Sequence, residues 1–226
     1  MIDVTLKDYM GTDLSVVNAA RVSFGKESEW NHECREVDSL YPKDAKLIKY
    51  LAKHKHMSPF GHCFATFHVK APIFVARQLV KHKFLRWNEI SRRYVDSEPE
   101  FYEPDEWRGR ADDKKQGSSN LPVQVITKKF WDEDDETQEV KYDYTHMCLE
   151  EYKYLLDEGV CPEQARMVLP QSTMTEWYWS GSLDAWADMC NLRCKEDTQL
   201  ETARAAQCIS QAMQKLYPAS WEALVL

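Results

Sequence analysis

The sequence predicts an α+β fold that is rich in helices and contains a small antiparallel or mixed sheet. Three observations support this prediction. Several segments repeat apolar residues with a helical period, whereas residues 62–70 alternate two sets of side chains in the manner of a strand. The predicted elements do not follow the strand–helix–strand order of a doubly wound sheet. With 226 residues, of which 43% are apolar, the chain can bury a substantial core.

The first helix is predicted to follow Asp13, because an aspartate is a favourable N-cap. Leu14, Val17 and Ala20 then lie on one face of the helix as far as Val22. The chain is therefore expected to begin its core with a short amphipathic helix.

A helix, a strand and a second helix are predicted next. Residues 43–55 carry a stripe of three apolar side chains with helical spacing. The strand predicted at residues 62–70 follows. Pro72 then opens an apolar helix at residues 73–80, because proline suits the first turn of a helix.

Three helical regions are predicted to close the chain, at residues 137–158, 163–169 and 183–216. Gly159 ends the first of them. Pro162 and Pro170 flank the second region, and the third carries an apolar series.

Residues 103–139 are polar, charged and interrupted by proline. They are predicted to form a solvated insertion rather than a binding tail. No repeat or Gly/Ser linker divides the sequence. We therefore expect residues 1–226 to form a single catalytic domain with this insertion in it.

The composition excludes several classes of function. A net charge of −8 argues against a nucleic-acid partner bound through a basic face. No apolar stretch approaches the roughly 20 residues that span a membrane, and residues 1–13 lack the basic and then apolar runs that are typical of a signal peptide. The seven cysteines contain no CxxC pair. We expect a soluble cytoplasmic protein in a reducing compartment.

One basic segment stands out against this acidic background. Seven cationic or potentially cationic side chains occur within seventeen residues: Arg77, Lys81, His82, Lys83, Arg86, Arg92 and Arg93. Such a cluster binds phosphate oxygens by charge-assisted hydrogen bonds. A solvated basic face is the alternative. The intervening Asn88, Glu89 and Ser91, which suit recognition of a polar ring, favour the anion site.

The same residues resemble a known family. The pattern Lys81-His82-Lys83, seven residues and Ser91 is similar to the signature of the flavin-dependent thymidylate synthases, Arg-His-Arg, seven residues, Ser. The resemblance continues through NEIS and RRY, and it extends over residues 13–24, 58–78, 163–170 and 191–193. It covers most of the chain outside the insertion.

The resemblance implies an α+β fold particular to this family and a homotetramer whose active sites draw on more than one subunit. It implies methylation of dUMP to dTMP, with FAD as cofactor and with methylenetetrahydrofolate and NADPH as co-substrates. Arg193 is implied to polarise the uracil ring, and His56 to lie at the folate-facing mouth of the flavin pocket.

The resemblance also implies which residues contact dUMP and FAD. Those to dUMP are Gln78, Leu79, Val80, Lys81, Glu89, Ile90, Ser91, Arg92, Arg93, Arg166 and Arg193. Those to FAD are Ser23, Ser58, Lys81, His82, Lys83, Asn88, Glu89, Ser182 and Asp188.

The chain departs from the family pattern at several of these positions. Lys81 and Lys83 replace the arginines of the signature, which keeps the charge and loses bidentate geometry. Ser182 and Asp184 lie where the family usually has Asn-x-Arg. Asp188 also replaces a polar residue, so the adenine side of the FAD site differs more than the uracil side.

The sequence does not favour a serine nucleophile or a metal site. Ser91 is assigned to substrate positioning, because no base is evident to activate it as a nucleophile. No metal is predicted, because Ser58, Pro59 and Phe60 interrupt the spacing between His56 and the next histidine. A relative that transfers a different one-carbon group, and a nucleotide-binding module without catalysis, stay open as alternatives.

Overall fold

The computed structural model describes residues 1–32, 39–111, 118–123, 128–131, 137–140 and 144–225. These residues divide into two compact units. Unit 1 comprises Met1–Ala71, Val75–Glu89 and Glu176–Leu226, and unit 2 comprises Pro72–Phe74 and Ile90–Thr175. No helix in the described residues is both long enough and apolar enough to cross a membrane.

Unit 1 is built on a four-stranded sheet in the order β1-β2-β8-β3. Its strands are β1 Asp3–Met10, β2 Phe64–Pro72, β3 Arg86–Glu89 and β8 Met174–Ser182. β1 pairs antiparallel with β2 and β3 pairs antiparallel with β8. The last residue of β2 and the first two of β8 are assigned to unit 2.

One face of this sheet is buried, because buried and partly exposed side chains alternate along its strands. Along β2, Ala65, Phe67 and Val69 are fully buried while the residues between them are partly exposed. Trp177 and Trp179 on β8 are each 1% exposed. This period-two burial is what a sheet covered on one side requires.

The helices of unit 1 pack against this sheet and against one another. They are α1 Asp13–Arg21, α2 Pro42–Lys53, α3 Ile73–Leu79, α6 Leu183–Arg193, α7 Leu200–Leu216 and α8 Pro218–Leu224. Trp186 of α6 anchors this layer, with its ring edge-on to Phe67 at 5.1 Å and to Trp179 at 4.9 Å. Its indole N–H donates to the Ala65 carbonyl at 3.3 Å.

Unit 2 contains α4 Tyr144–Asp157, α5 Pro162–Ala165 and two antiparallel strand pairs. The pairs are β4 Arg108–Arg110 with β5 Ser118–Pro122, and β6 Lys128–Trp131 with β7 Thr137–Val140. A 3₁₀ turn, Arg166–Val168, follows α5.

The predicted fold class, α+β with small antiparallel sheets, is confirmed. The strand at residues 62–70 is confirmed as Phe64–Pro72, and the helix at 43–55 as Pro42–Lys53. The single domain remains a prediction.

Several details were wrong. Thr12 is the N-cap of α1, and the Asp13 carboxylate instead accepts the N–H groups of Ala219 and Ser220 at 2.8 and 2.9 Å, at the start of α8. The helix expected over residues 183–216 is two helices, α6 and α7. Pro72 ends β2 rather than opening α3.

The region around the predicted insertion also differs. The helix expected at 137–158 begins at Tyr144, and its first residues belong to β7. The helix expected at 163–169 is α5 with its 3₁₀ turn. The described parts of residues 103–139 contain paired strands rather than an irregular loop, while residues 112–117, 124–127 and 132–136 lie outside the described chain.

Candidate active site

The polar centre of unit 1 lies where α6 ends against the residues that follow α3. Arg193, the last residue of α6, donates from Nε to His82 Nε2 at 2.9 Å. Its Nη2 donates to the Gln78 carbonyl at 3.0 Å. The two contacts fix the plane of the guanidinium, and they join three of the predicted site residues.

The N-terminal end of α7 holds Gln78 in turn. Thr202, in the first turn of α7, donates its hydroxyl to Gln78 Oε1 at 3.2 Å, and the Gln78 amide N–H donates to Oε1 of Gln199, the N-cap residue of α7. Both residues are more than a hundred positions from Gln78 in the chain. The carbonyl that receives Arg193 therefore belongs to a residue that is itself clamped.

His82 is kept neutral by its surroundings. Burial, and after it the charge of Arg193, lowers the pKa of His82 from its ordinary value of 6.5 to about 4. A neutral ring can accept from Arg193 at Nε2, which places the ring proton on Nδ1. Burial also lowers the pKa of Arg193, but the guanidinium stays charged because its ordinary pKa is far above neutral.

We expect His82 to remain uncharged in the folded protein until the pH falls toward 4. The proton NMR signal of its Cε1–H, assigned by its loss in His82→Gln, should titrate well below pH 6.5. Because the folded pKa lies below the unfolded one, the unfolded chain binds more protons in this window. The stability contributed by neutral His82 is therefore present above about pH 6.5 and is lost as the pH falls to about 4. A titration centred near 6.5 would contradict this arrangement.

Strand β3 carries a second group of predicted residues. Trp87 donates its indole N–H to Glu89 Oε2 at 3.0 Å. The Trp87 ring stacks on buried Trp177, with centroids 4.3 Å apart and planes inclined by 19°. Asn88, between them in sequence, is paired with exposed Tyr178 on the opposite face. The stack thus orients the Glu89 carboxylate.

The turn into β3 needs a glycine beside it. Phe84 has a φ of +66° and a side chain that is 79% exposed. Leu85 packs so closely on Gly181 that a Cβ there would lie 2.2 Å from the Leu85 Cδ2 atom. A larger residue at 181 would force the Leu85 side chain aside and would press on the Phe84 carbonyl, 3.3 Å from that Cβ position, in the turn that leads from Lys83 into β3.

Unit 2 holds a cluster of its own. Arg93 Nε donates to Glu163 Oε2 at 3.0 Å, and Arg166 Nε donates to the Glu163 carbonyl at 3.2 Å. The Arg93 N–H lies 3.4 Å from Ser91 Oγ. Glu163 thus binds two arginines that are predicted to contact dUMP, and both arginines are exposed.

The other predicted residues are placed as follows. Lys81, Lys83, Val80 and Ile90 are exposed, whereas the Leu79 side chain is fully buried and leaves only main-chain atoms for a ligand. Arg92 Nη1 donates to the Ser97 carbonyl at 2.8 Å.

The predicted flavin-side residues outside the signature lie on neighbouring elements of unit 1. Ser58 begins a 3₁₀ turn, Ser58–His62, that packs against both α1 and α6. Ser23 lies in the turn directly after α1, Ser182 is the N-cap residue of α6, and Asp188 lies at the middle of α6. His56 stacks on Tyr50, with centroids 6.2 Å apart.

No residue pattern pointed to Thr202, Gln199 or Trp87. Trp87 lies within the signature stretch, whose other residues are predicted to bind ligands, but the sequence does not indicate a role for Trp87 itself. Thr202 and Gln199 are visible only once α7 is packed. Within the described residues, no three potential ligands converge on a metal position, and the absence of a metal stays a prediction.

Comparisons with known proteins bear on this arrangement. A family model described as thymidylate synthase complementing protein matches residues 5–219. The flavin-dependent thymidylate synthase of Thermus thermophilus is 37% identical over 220 residues, covering 97% of this chain and 74% of the relative. That of Treponema denticola is 38% identical over 219 residues, covering 95% and 76%.

A solved structure matches at the level of the fold and the sequence. The UMP/dUMP methylase PolB from Streptomyces cacaoi, bound with 5-Br dUMP, has a TM-score of 0.76 and is 31% identical. The match covers 99% of this chain and 94% of that chain.

Proposed function

Because the chain belongs to the flavin-dependent thymidylate synthase family, we propose that it catalyses the reductive methylation of dUMP to dTMP. The observation that carries the proposal is the guanidinium of Arg193, held in one plane by His82 and Gln78. Methylenetetrahydrofolate is the proposed carbon donor, and NADPH is the proposed reductant.

The chemistry explains why a fixed guanidinium matters. Uracil C5 is a weak nucleophile, so methylation requires negative charge to develop on the ring. A preorganised cation beside the N3 and carbonyl edge stabilises that charge more in the transition state than in the ground state. His82 and Gln78 position Arg193 for this role. Neutral His82 can accept from Arg193 without adding a second positive charge.

The donor groups of unit 1 fit FAD. Lys81 and Lys83 are exposed cations that suit the diphosphate, and Ser23, Ser58 and Asn88 offer hydrogen bonds to its polar groups. Asp184 Oδ1 is buried without a hydrogen-bond partner in the described residues. This acceptor suits a ribose hydroxyl or the adenine amino group. When bound, the reduced flavin supplies hydride for the methylation.

The phosphate of dUMP is assigned to the cluster of unit 2. Arg93 and Arg166 are exposed and share Glu163, so each retains donors for a phosphate oxygen. Ser91 is assigned to positioning the nucleotide. Glu89, oriented by Trp87, is assigned to the nucleoside and the flavin.

A homotetramer is proposed from the family resemblance, and exposed apolar side chains support association of subunits. Val22 and Phe24 are 71% and 79% exposed beside Ser23, and Phe84 is 79% exposed beside Lys83. Large apolar side chains beside binding residues are typical of a surface that another subunit covers. We infer that both units of the chain act as one catalytic domain within such an assembly, with His56 facing the folate.

The proposal is tested by product analysis. Protein supplied with FAD, NADPH, methylenetetrahydrofolate and dUMP should form dTMP, detected by mass spectrometry, and omission of any one component should abolish it. UMP should be offered in a parallel reaction, because the similar solved structure is described as a UMP/dUMP methylase. A hydroxymethylated product, or tight dUMP binding without turnover, would reject the proposal in favour of one of the two alternatives.

A further inference from the structure

A groove in unit 1 lies beside the helix that ends in Arg193. It has a volume of about 410 Å³, which is within the usual range for small-ligand sites. It is lined by residues from α2, α6, α8 and the segment after α2: Lys49, Ala52, Lys53, Lys55, Met57, Ala187, Asp188, Asn191, Glu222, Ala223 and Leu224. We refer to it as the lysine groove.

The floor of the lysine groove is apolar. Ala52 and Ala187 are buried, and Met57, Ala223 and Leu224 are partly exposed. The alanines leave room above the helices, while Met57 offers an adaptable, polarisable surface. Asn191 cannot offer its full amide to a ligand, because its N–H already donates to the Leu224 carbonyl at 2.8 Å. A flat apolar ligand group fits such a floor.

The rim of the lysine groove carries three ammonium groups and two carboxylates. Lys49 and Lys53 are four residues apart on α2, so they lie on the same helix face at neighbouring turns. Lys49 pairs with Glu222 at 2.9 Å, with both side chains more than half exposed, an arrangement that a ligand anion can readily replace. Among the described residues, no carboxylate forms an ion pair with Lys53 or Lys55.

Several residues that line the lysine groove are close in sequence to residues of the candidate active site. Lys55 and Met57 flank His56, which is assigned to the folate. Asp188 lies on α6, one and a half turns before Arg193, and is assigned to the flavin. Burial and the nearby Asp184 raise the pKa of Asp188, while Lys55 acts in the opposite direction. Lys55 therefore lies within electrostatic reach of α6.

We propose that the lysine groove binds the p-aminobenzoyl-glutamate tail of methylenetetrahydrofolate, with Lys49, Lys53 and Lys55 pairing its carboxylates. This inference rests on the proposed function. The tail combines an aromatic ring, which suits the apolar floor, with carboxylates spaced along a chain, which suit amines spaced along a helix. The phosphates of NADPH are compact groups rather than carboxylates spaced along a chain, so they match three separated ammonium groups less well.

The experiment compares two forms of the folate on the complete FAD-loaded enzyme. KM is measured for methylenetetrahydrofolate with one and with five glutamates, at saturating dUMP and NADPH. In the parent protein the pentaglutamate should have a KM lower by about tenfold, the effect of two exposed ion pairs within the usual range of their strength. In the double variant Lys49→Ala/Lys53→Ala the two KM values should converge.

Lys46→Ala is the matched control. Lys46 is an exposed lysine on α2 that does not line the groove, so its loss should leave the preference for the pentaglutamate intact. KM for NADPH is measured in every variant. A rise in KM for NADPH without convergence of the folate values would overturn the inference and assign the groove to the dinucleotide.

Equal KM values for both folates in the parent protein would also overturn the inference, while leaving the proposed function standing. Failure of the parent protein to form dTMP with either folate would instead reject the proposed function, and the inference with it. Circular dichroism and dUMP binding, measured in each variant, establish that a change in KM does not come from unfolding.

Discussion

Arg193→Ala should lower the rate of dTMP formation by on the order of a hundredfold or more, the usual scale when one transition-state donor is removed. The physical reason is that Arg193 supplies a charged, planar group held by His82 and Gln78 at 2.9 and 3.0 Å. Binding of dUMP should weaken as well, because the guanidinium would also contact the ground-state carbonyls. Single-turnover formation of dTMP and equilibrium binding of dUMP measure the two effects separately.

Two comparisons make this result specific. Oxidation of NADPH with oxygen as acceptor should survive in Arg193→Ala, because that half-reaction places no charge on the pyrimidine. Arg193→Lys keeps the charge but not the planar fork, so a large loss in this variant would support planar recognition. A correctly folded Arg193→Ala protein with the parent rate of methylation would refute the assigned role.

Arg21→Met should destabilise the protein by about 3–5 kcal/mol, the usual cost of leaving a buried ion without its partner. Asp44 is 0% exposed and receives hydrogen bonds from both Arg21 Nε, at 3.1 Å, and Arg21 Nη2, together with one from Ser28 Oγ at 3.2 Å. Methionine retains most of the arginine stem, so the loss should come from charge rather than from packing. The midpoint of urea unfolding, followed by tryptophan fluorescence, measures it.

The controls are a surface ion pair and a compensated double variant. Lys153→Ala removes the partner of Glu98, in a pair at 3.3 Å whose side chains are 44% and 64% exposed, and should cost within about 1 kcal/mol. Arg21→Met/Asp44→Leu removes both buried charges and should recover much of the loss. If Arg21→Met were as stable as Lys153→Ala, the buried pair would have no structural importance.

Much of the architecture could be predicted from local patterns. The apolar stripe of α2 and the alternation of β2 are properties of short segments, and the structure reproduces both within two residues at each end. Strand β8 was missed because Trp177, Tyr178 and Trp179 are consecutive aromatic residues, so no alternation of apolar and polar residues marks the strand. The short strands of unit 2 contain many charged and polar residues, which concealed them.

The candidate site was only partly predictable, for a physical reason. The residue types of the signature identify an anion site, but the link between His82 and Arg193 joins positions 111 residues apart. It depends on where α6 ends over the turn after α3. The clamp of Thr202 on Gln78 depends likewise on the packing of α7. Such contacts arise from tertiary packing, so no spacing in the sequence encodes them.

The tryptophan stack between β3 and β8 also has a consequence for folding fidelity. β3 is four residues long, so few backbone hydrogen bonds hold its alignment with β8. A slip of one residue would turn every side chain of β3 to the opposite face of the sheet. It would move Trp87, and with it the Glu89 carboxylate that Trp87 binds, away from Trp177. The stack on Trp177 opposes this misalignment, because an aromatic pair of this kind is worth about 0.5–1.5 kcal/mol beyond its buried area. The indole pair therefore stabilises the observed register of β3 on β8, in which the signature residues of β3 lie on the faces described above.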